Sequence, residues 1–472
     1  MLLKRFYHEG LAQASYLLGC QRTGEAIVID ANRDPEPYLA AAAAEGLRIT
    51  QVTETHIHAD YLSGSRELAQ AAGAQLLLSA MGTPDWQYAF AASDGARLLY
   101  DGDEIRVGNI RLEVMHTPGH TPEHIVFICI DRPTSTHPVG VFSGDFLFVG
   151  DVGRPDLLER AANVAGTMRA GAGQLFDSLQ RFTARYPDYL QVWPGHGSGS
   201  ACGKALGAVP STTLGYEKVA NWALQHTDRA AFIEAVLEGQ PDPPRYFATM
   251  KRLNKEGPNL LGTRPDAAEL HASTLPSVLT PGTRVIDLRS TAAFAAQHVR
   301  GTINIPFTKS FVGWAGWLVP YDRPFYLLTD AGHEQVRQAL AELAMIGLDD
   351  CAGWFGGDAL EGATAAIPQV EGRVLSGMSD PQVIDVRAAD EYAAGHLPGA
   401  SHIPLGRLEE HLDKLDTARP IVLQCQGGTR SSIAASLLEA RGITNVINLA
   451  GGYSAWVTAE LPVQLPAVGA HG

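Results

Sequence analysis

Four short segments of this chain place histidines and aspartates where a metal ion could be held. They are His56-Ile57-His58-Ala59-Asp60, the stretch HTPGHT with His116 and His120, FSGDFLF with Asp145, and WPGHG with His196. A lone histidine is more often a core or surface residue than a ligand. Four segments bounded by glycine or proline, each after an apolar run and each carrying a ligand type, point instead to an assembled site. Seven of the 16 histidines, His56, His58, His116, His120, His124, His137 and His196, fall in this one stretch.

A second chemistry is written in IVLQCQGGTRSS. Cys425 ends an apolar run and Arg430 opens a helical one, with Gln426, Gly427, Gly428 and Thr429 between them. Successive backbone N–H groups of such a glycine-rich loop can turn inward and, with a helix N-terminus, hold an anion. That setting favours a nucleophilic thiolate. Of the other cysteines, Cys202 lies six residues after His196 and is either near the metal segments, as a second reactive thiol, or a small buried residue. Cys20, Cys129 and Cys351 are expected to pack in cores, with an accessible thiol as the alternative for Cys20, which follows a strand.

The elements that must position these residues alternate. EAIVIDA, ITQVTET, HIVFICI and LQVWPG read as strands, separated by helical runs such as SGSRELAQAAG and TMRAGAGQLFDSLQRFTARY. Histidines and aspartates cluster just after the strands, where open α/β folds assemble their sites. The C-terminal part is a repeat. RVIDLRSTAAFAAQHVRGTINIP and QVIDVRAADEYAAGHLPGASHIP match, with Asp287 and Asp385, His298 and His396, and Pro306 and Pro404 each 98 residues apart. FYLLTDAGHEQ then corresponds to PIVLQCQGGTR at an offset of 95, which sets Asp330 at the place of Cys425 and Gln335 at that of Arg430. A carboxylate cannot serve as a thiolate nucleophile, so the first copy is expected to be catalytically silent. Each copy alternates strand and helix, the pattern of a parallel sheet covered on both faces.

The chain has 472 residues, too many for one hydrophobic core. A net charge of −15 opposes nucleic acid and anionic membrane surfaces as partners. No run approaches the roughly 20 apolar residues of a membrane span. The first residues, charged and lacking an apolar stretch with a cleavage site, read as a poor signal peptide. Five scattered cysteines fit reduced thiols, and a cytoplasmic location is expected.

The ordered series His-x-His-x-Asp, then a distant His, Asp and His, resembles the metallo-β-lactamase fold. CQGGTR resembles the active loop of rhodanese sulfurtransferases, whose four-residue spacing between Cys425 and Arg430 is shorter than that of cysteine phosphatases and fits a persulfide. The fold class this implies is α/β: an αββα metallo-β-lactamase fold over residues 1–258, followed by two rhodanese-like α/β domains with parallel sheets over 268–365, silent, and 372–468, active. Tyr61 stands where dinuclear zinc hydrolases of the first fold place a histidine. Phenol is a weak neutral ligand, so one metal is favoured over two.

Within that fold, persulfide dioxygenases hold one iron with two histidines and one carboxylate. Carried over by position, the resemblance implies His56, His120 and Asp145 as ligands of one Fe(II), with O2 as co-substrate. His58, Asp60 and His196 would then orient ligands and hold water, although His58 or His196 would ligate if the metal were zinc. GDVGRPDLL also resembles that family, with Arg154 and Asp156 either facing the substrate or fixing the loop. The whole tandem resembles persulfide dioxygenase–rhodanese fusions of sulfide detoxification. It implies oxidation of a small persulfide (of glutathione, coenzyme A or a similar thiol) to sulfite, transfer of sulfane sulfur through Cys425 to sulfite giving thiosulfate, and a homo-oligomer, dimer or tetramer. Two other readings stand beside it: a dinuclear zinc thioester hydrolase of the hydroxyacylglutathione hydrolase type, and a non-enzymatic binding or sensor module.

Overall fold

In a computed structural model, residues 1–160, 166–280 and 282–465 are described, and the expected end of the last domain at 468 lies outside them. The chain divides into two compact units. The first comprises Met1–Arg264 with Ala341–Gly347, and the second runs through Pro265–Leu340 and onward from Leu348.

The first unit holds two six-stranded sheets. One runs, in spatial order, Leu2–His8, Gln13–Cys20, Glu25–Ile29, Arg48–Thr53, Gln75–Ser79 and Arg97–Leu99. The other runs Thr212–Thr213, Gln191–Pro194, Gly140–Gly144, Ile125–Asp131, Ile110–His116 and Glu104–Val107. The apolar runs are continuous because both faces of these strands are covered. Phe127 and Cys129 point inward with Tyr16, Leu18 and Ile29 of the facing sheet, forming the layer between the sheets. Val126 and Ile128 point outward onto Leu175, Leu179 and Phe182 of the helix Thr167–Arg185. On the opposite outer face, Leu17 and Val28 meet Tyr38 of the helix Glu36–Ala44 and Leu68 of the helix Ser65–Ala72. The result is an αββα sandwich. Each fully buried Phe, Leu or Ile contributes roughly 1.5–3 kcal/mol.

The second unit holds two five-stranded sheets with one plan. Strands Glu269–Leu270, Cys351–Phe355, Phe325–Leu328, Arg284–Asp287 and Ile303–Asn304 are neighbours in that order, all parallel. Gln369–Val370, Val446–Leu449, Ile421–Gln424, Gln382–Asp385 and Ser401–His402 repeat it, all parallel. The duplication read from the sequence is thus a duplication of topology. Among the described residues, no helix is long and apolar enough to cross a membrane.

Candidate metal centre and thiol site

The four metal segments all leave the C-terminal ends of strands. His56 to Tyr61 follow Arg48–Thr53, His120 follows Ile110–His116, Asp145 follows Gly140–Gly144, and His196 follows Gln191–Pro194. They converge. Asp145 Oδ2 lies 3.5 Å from His120 Nε2 and 3.9 Å from His56 Nε2, and all three side chains are buried.

The hydrogen bonds fix which nitrogen faces inward. The Thr55 hydroxyl donates to Asp30 Oδ2 at 3.0 Å, so its oxygen accepts from His56 Nδ1 at 3.0 Å. His120 Nδ1 donates to the Arg154 carbonyl at 3.0 Å. Both imidazoles therefore turn an Nε2 lone pair toward Asp145. Burial, reinforced by neighbouring positive groups, pushes both histidines well below their ordinary pKa and keeps them neutral. His56 Nε2 and both Asp145 oxygens have no hydrogen-bond partner. Buried polar atoms left so are costly, and a divalent cation would satisfy all of them. The residues fit one metal ion.

A second donor set adjoins the first. Asp60, His196 and Cys202 bring their ligand atoms within 4.8 Å of one another. His196 Nδ1 donates to the Ala12 carbonyl at 3.1 Å, and its Nε2 lies 3.3 Å from Asp60 Oδ2 and 3.4 Å from Asp145 Oδ1. Asp145 thus stands between the two sets. Burial works against a charge on His196, but Asp145 and Asp60 outweigh it and raise its pKa. Burial pushes the Cys202 thiol well up, and Asp60 and Asp145 add to the shift.

Other expected residues lie elsewhere. His58 turns its Nε2 to Asp30 Oδ1 at 3.2 Å; burial opposes its charge, yet Asp30 brings it up to about 9. The Tyr61 phenol, pushed well up by burial, donates to the Asp30 carbonyl at 3.1 Å and keeps its proton. His116 faces the Pro122 carbonyl at 2.8 Å, outside the cluster. Arg154 is fully buried. Its guanidinium donates to both Asp156 oxygens at 2.8 Å, to Ala201 O at 3.0 Å and to Pro241 O at 2.7 Å. Every nitrogen is engaged within the protein, so the substrate-facing reading gives way to the loop-fixing one.

Three contributors escape a reading of the motifs. Asp30 ends the strand Glu25–Ile29 with φ +57°, a left-handed conformation rare outside glycine, and accepts from Thr55 N, Thr55 Oγ1 and His58. That strained position, visible in the sequence only as the acid ending EAIVID, orients His56 through Thr55. His124 accepts from Asp145 N at 3.1 Å and stacks on His56 at 4.9 Å. Asn254 donates to the His58 carbonyl at 2.9 Å and to the Tyr61 carbonyl at 2.7 Å, and accepts from Ser63 N at 2.8 Å.

In the second unit, Cys425 follows the strand Ile421–Gln424 and is buried. Gly428 N donates to its Sγ at 3.1 Å and Ser431 Oγ lies 3.4 Å away. Gly428 has φ +103°, which turns its N–H inward just before the helix Thr429–Ala440. A Cβ on Gly452 would stand 2.2 Å from the Cys425 carbonyl oxygen, so only glycine permits that approach. There Tyr453 N donates to Cys425 O at 2.7 Å and Ser454 N to Gln426 O at 3.0 Å. Arg430 forms a bidentate pair with Glu391 at 2.5 and 2.7 Å. Gln426 accepts from Arg387 at 3.3 Å and donates to Ser454 Oγ at 2.9 Å.

The sheet corrects the alignment of the two copies by one residue. Asp287 pairs with Leu328, and Asp385 with Gln424. Thr329, not Asp330, therefore occupies the place of Cys425. The helix after it begins at His333, as the other begins at Thr429, so Glu334 rather than Gln335 matches Arg430. A hydroxyl replaces the thiol and a carboxylate replaces the guanidinium.

All five cysteines are free, with Cys20, Cys129, Cys202 and Cys425 buried and Cys351 half-buried.

Comparison with known proteins adds three findings. A family model of the metallo-β-lactamase superfamily matches residues 8–196, and one of the rhodanese-like domain matches residues 372–459. Hydroxyacylglutathione hydrolase of Polaromonas sp. is 37% identical over 185 residues, 39% of this chain and 61% of that protein. The mitochondrial persulfide dioxygenase of Homo sapiens is 29% identical over 200 residues, 42% of this chain and 68% of that protein. This chain spans about three-fifths of the length of the hydroxyacylglutathione hydrolases it matches. A crystal structure of a metallo-β-lactamase from Staphylococcus aureus is similar with a TM-score of 0.70 and 44% identity, over 75% of this chain and 99% of that one.

Proposed function

This chain belongs to the metallo-β-lactamase superfamily and carries a C-terminal rhodanese-like domain, and from that premise we propose that it is a persulfide dioxygenase and sulfurtransferase. The observation that carries the reading is the trio His56, His120 and Asp145 beside a Tyr61 whose proton is committed to the Asp30 carbonyl. Two neutral imidazoles and one carboxylate leave positions open on an octahedral ion, the arrangement of non-haem Fe(II) oxygenases. An iron held there would supply adjacent positions for the persulfide sulfur and O2. The chain's own part is to hold the donors. Asp30 and Thr55 orient His56, the Arg154 carbonyl orients His120, and His124 fixes the backbone of Asp145. Enclosure of the donors keeps bulk water away.

At the second site the Cys425 thiolate attacks the outer sulfur of a persulfide. The S–S bond breaks, the carrier leaves as its thiolate, and Cys425 holds the sulfane sulfur. Gly428 N–H and Ser431 Oγ lie against the thiol sulfur and steady its negative charge. Sulfite then attacks that sulfur, thiosulfate forms, and the Cys425 thiolate returns. The carrier is a small thiol of the glutathione or coenzyme A kind.

The test is metal analysis of anaerobically purified protein combined with O2 uptake on glutathione persulfide. One iron per chain and persulfide-dependent uptake, both lost in Asp145→Ala, are expected. Cys425→Ser then keeps the uptake and changes the product from thiosulfate to sulfite. A second reading, the dinuclear zinc thioester hydrolase, is favoured by the Asp60, His196 and Cys202 set on the far side of Asp145. Two zinc ions with no O2 uptake would put it first.

A further inference from the structure

Lys251 is a cation in an unusual place. It is 5% exposed, and its Nζ has no hydrogen-bond partner. Lysines are almost never buried without a paired acid, because a desolvated ammonium with nothing to balance it is expensive. Desolvation pushes this one down to about 8, with Glu123, Cys202 and Asp145 pulling the other way. Its charge is felt by His56 and His120, whose pKa values it lowers. The amine therefore lies within electrostatic reach of the metal donors.

Its position is fixed by its own helix, Tyr246–Glu256. Asn254, three residues on and thus on the same face, grips the carbonyls of His58 and Tyr61 and the N–H of Ser63. Three hydrogen bonds consequently tie the segment carrying the first metal motif to the Lys251 helix. Across from the amine stands the half-buried Trp86 indole, with Nζ 4.9 Å from its ring centroid. Glu123 is the nearest acid in effect, but one of its oxygens accepts from Ile57 N at 2.8 Å and the other has no hydrogen-bond partner, Lys251 included. Nothing in the metal-binding account uses Lys251.

We propose that Lys251 is the anion-recognition residue of the metal site, receiving a carboxylate of the small thiol that carries the sulfur, with Trp86 flanking that carrier. The proposal rests on the persulfide reading and narrows its substrate to acidic thiols. An ammonium without a hydrogen-bond partner, within electrostatic reach of a centre where a sulfur must be presented, supplies the charge that a carboxylate-bearing carrier lacks. A neutral carrier would leave the amine as costly as it is in the free protein.

The test uses full-length K251M and K251R beside the wild type, with S-methylglutathione as an inert acidic probe and its dimethyl ester as the match that lacks carboxylates but keeps the ammonium. Calorimetric titration is expected to show K251M weakening S-methylglutathione by about tenfold or more, the scale of one charge-assisted hydrogen bond. K251R retains most of the affinity, and the ester binds all three proteins alike. With glutathione persulfide, KM rises in K251M while kcat holds. Equal weakening of acid and ester, or no weakening of either, overturns the proposal. Should the wild type consume no O2 with any persulfide, the dioxygenase reading falls, and the titration still judges Lys251.

Discussion

Glu439 and His298 meet at 2.5 Å, one from each copy of the repeat in the second unit. Glu439 lies near the end of the helix Thr429–Ala440, which begins at the Cys425 loop, and His298 closes the segment after the helix Thr291–Ala296. The other ring nitrogen of His298 donates to the Phe294 carbonyl at 2.8 Å, and Phe294 stacks on the ring at 3.9 Å. Arg300 stands 3.6 Å from Glu439, and Ser436 accepts from Asn304 N at 3.0 Å. The copy whose loop carries Thr329 in place of a thiol is therefore a brace along the helix that the Cys425 loop starts.

Removing the histidine leaves a buried carboxylate short of its closest partner. His298→Ala should cost about 3–5 kcal/mol, the range for breaking a buried pair from one side. Thermal unfolding of full-length protein checks it. A double-mutant cycle with Glu439→Gln should recover part of the loss, since the unpaired charge is then gone.

The corrected register gives a second expectation. Thr329→Cys, made in a Cys425→Ser background, should transfer no sulfur from thiosulfate to cyanide, because Glu334 sets a negative charge where Arg430 stands in the other copy. Thiocyanate formation is the readout. Activity in that Thr329→Cys, Cys425→Ser double variant, with Glu334 left in place, would refute the role given to the charge at that position.

Asp30 touches none of His56, His120 and Asp145 directly but holds Thr55, the residue that holds His56. Asp30→Ala should lower metal affinity by about 10–100-fold, as loss of such outer partners does. Competition with a chromophoric chelator measures it. Unchanged affinity would mean that Thr55 alone suffices to orient the ring.

How far the sequence reaches can be judged at particular residues. His56, His120 and Asp145 were legible because each sits in a Gly/Pro-bounded segment directly after an apolar run, and strand ends are where such loops gather. His116 shares a segment with His120 yet faces the Pro122 carbonyl, since period and spacing do not say which way a side chain turns. Asp30 was hidden because a strand-ending acid carries no mark of a left-handed backbone. Lys251 was hidden by its helix, where a lysine usually means a solvated face. The one-residue slip between copies had a similar origin. Similar letters allowed an offset of 95, whereas strand pairing, which no residue type announces, decides for 96.

Arg154 holds the Asp156 carboxylate and the carbonyls of Ala201 and Pro241, while its own carbonyl positions His120. Lysine, a single point charge on a flexible stem, cannot reproduce that planar fork. Arg154 thus works as a junction between four backbone segments, and the position of His120 depends on loops that are far from it in the chain.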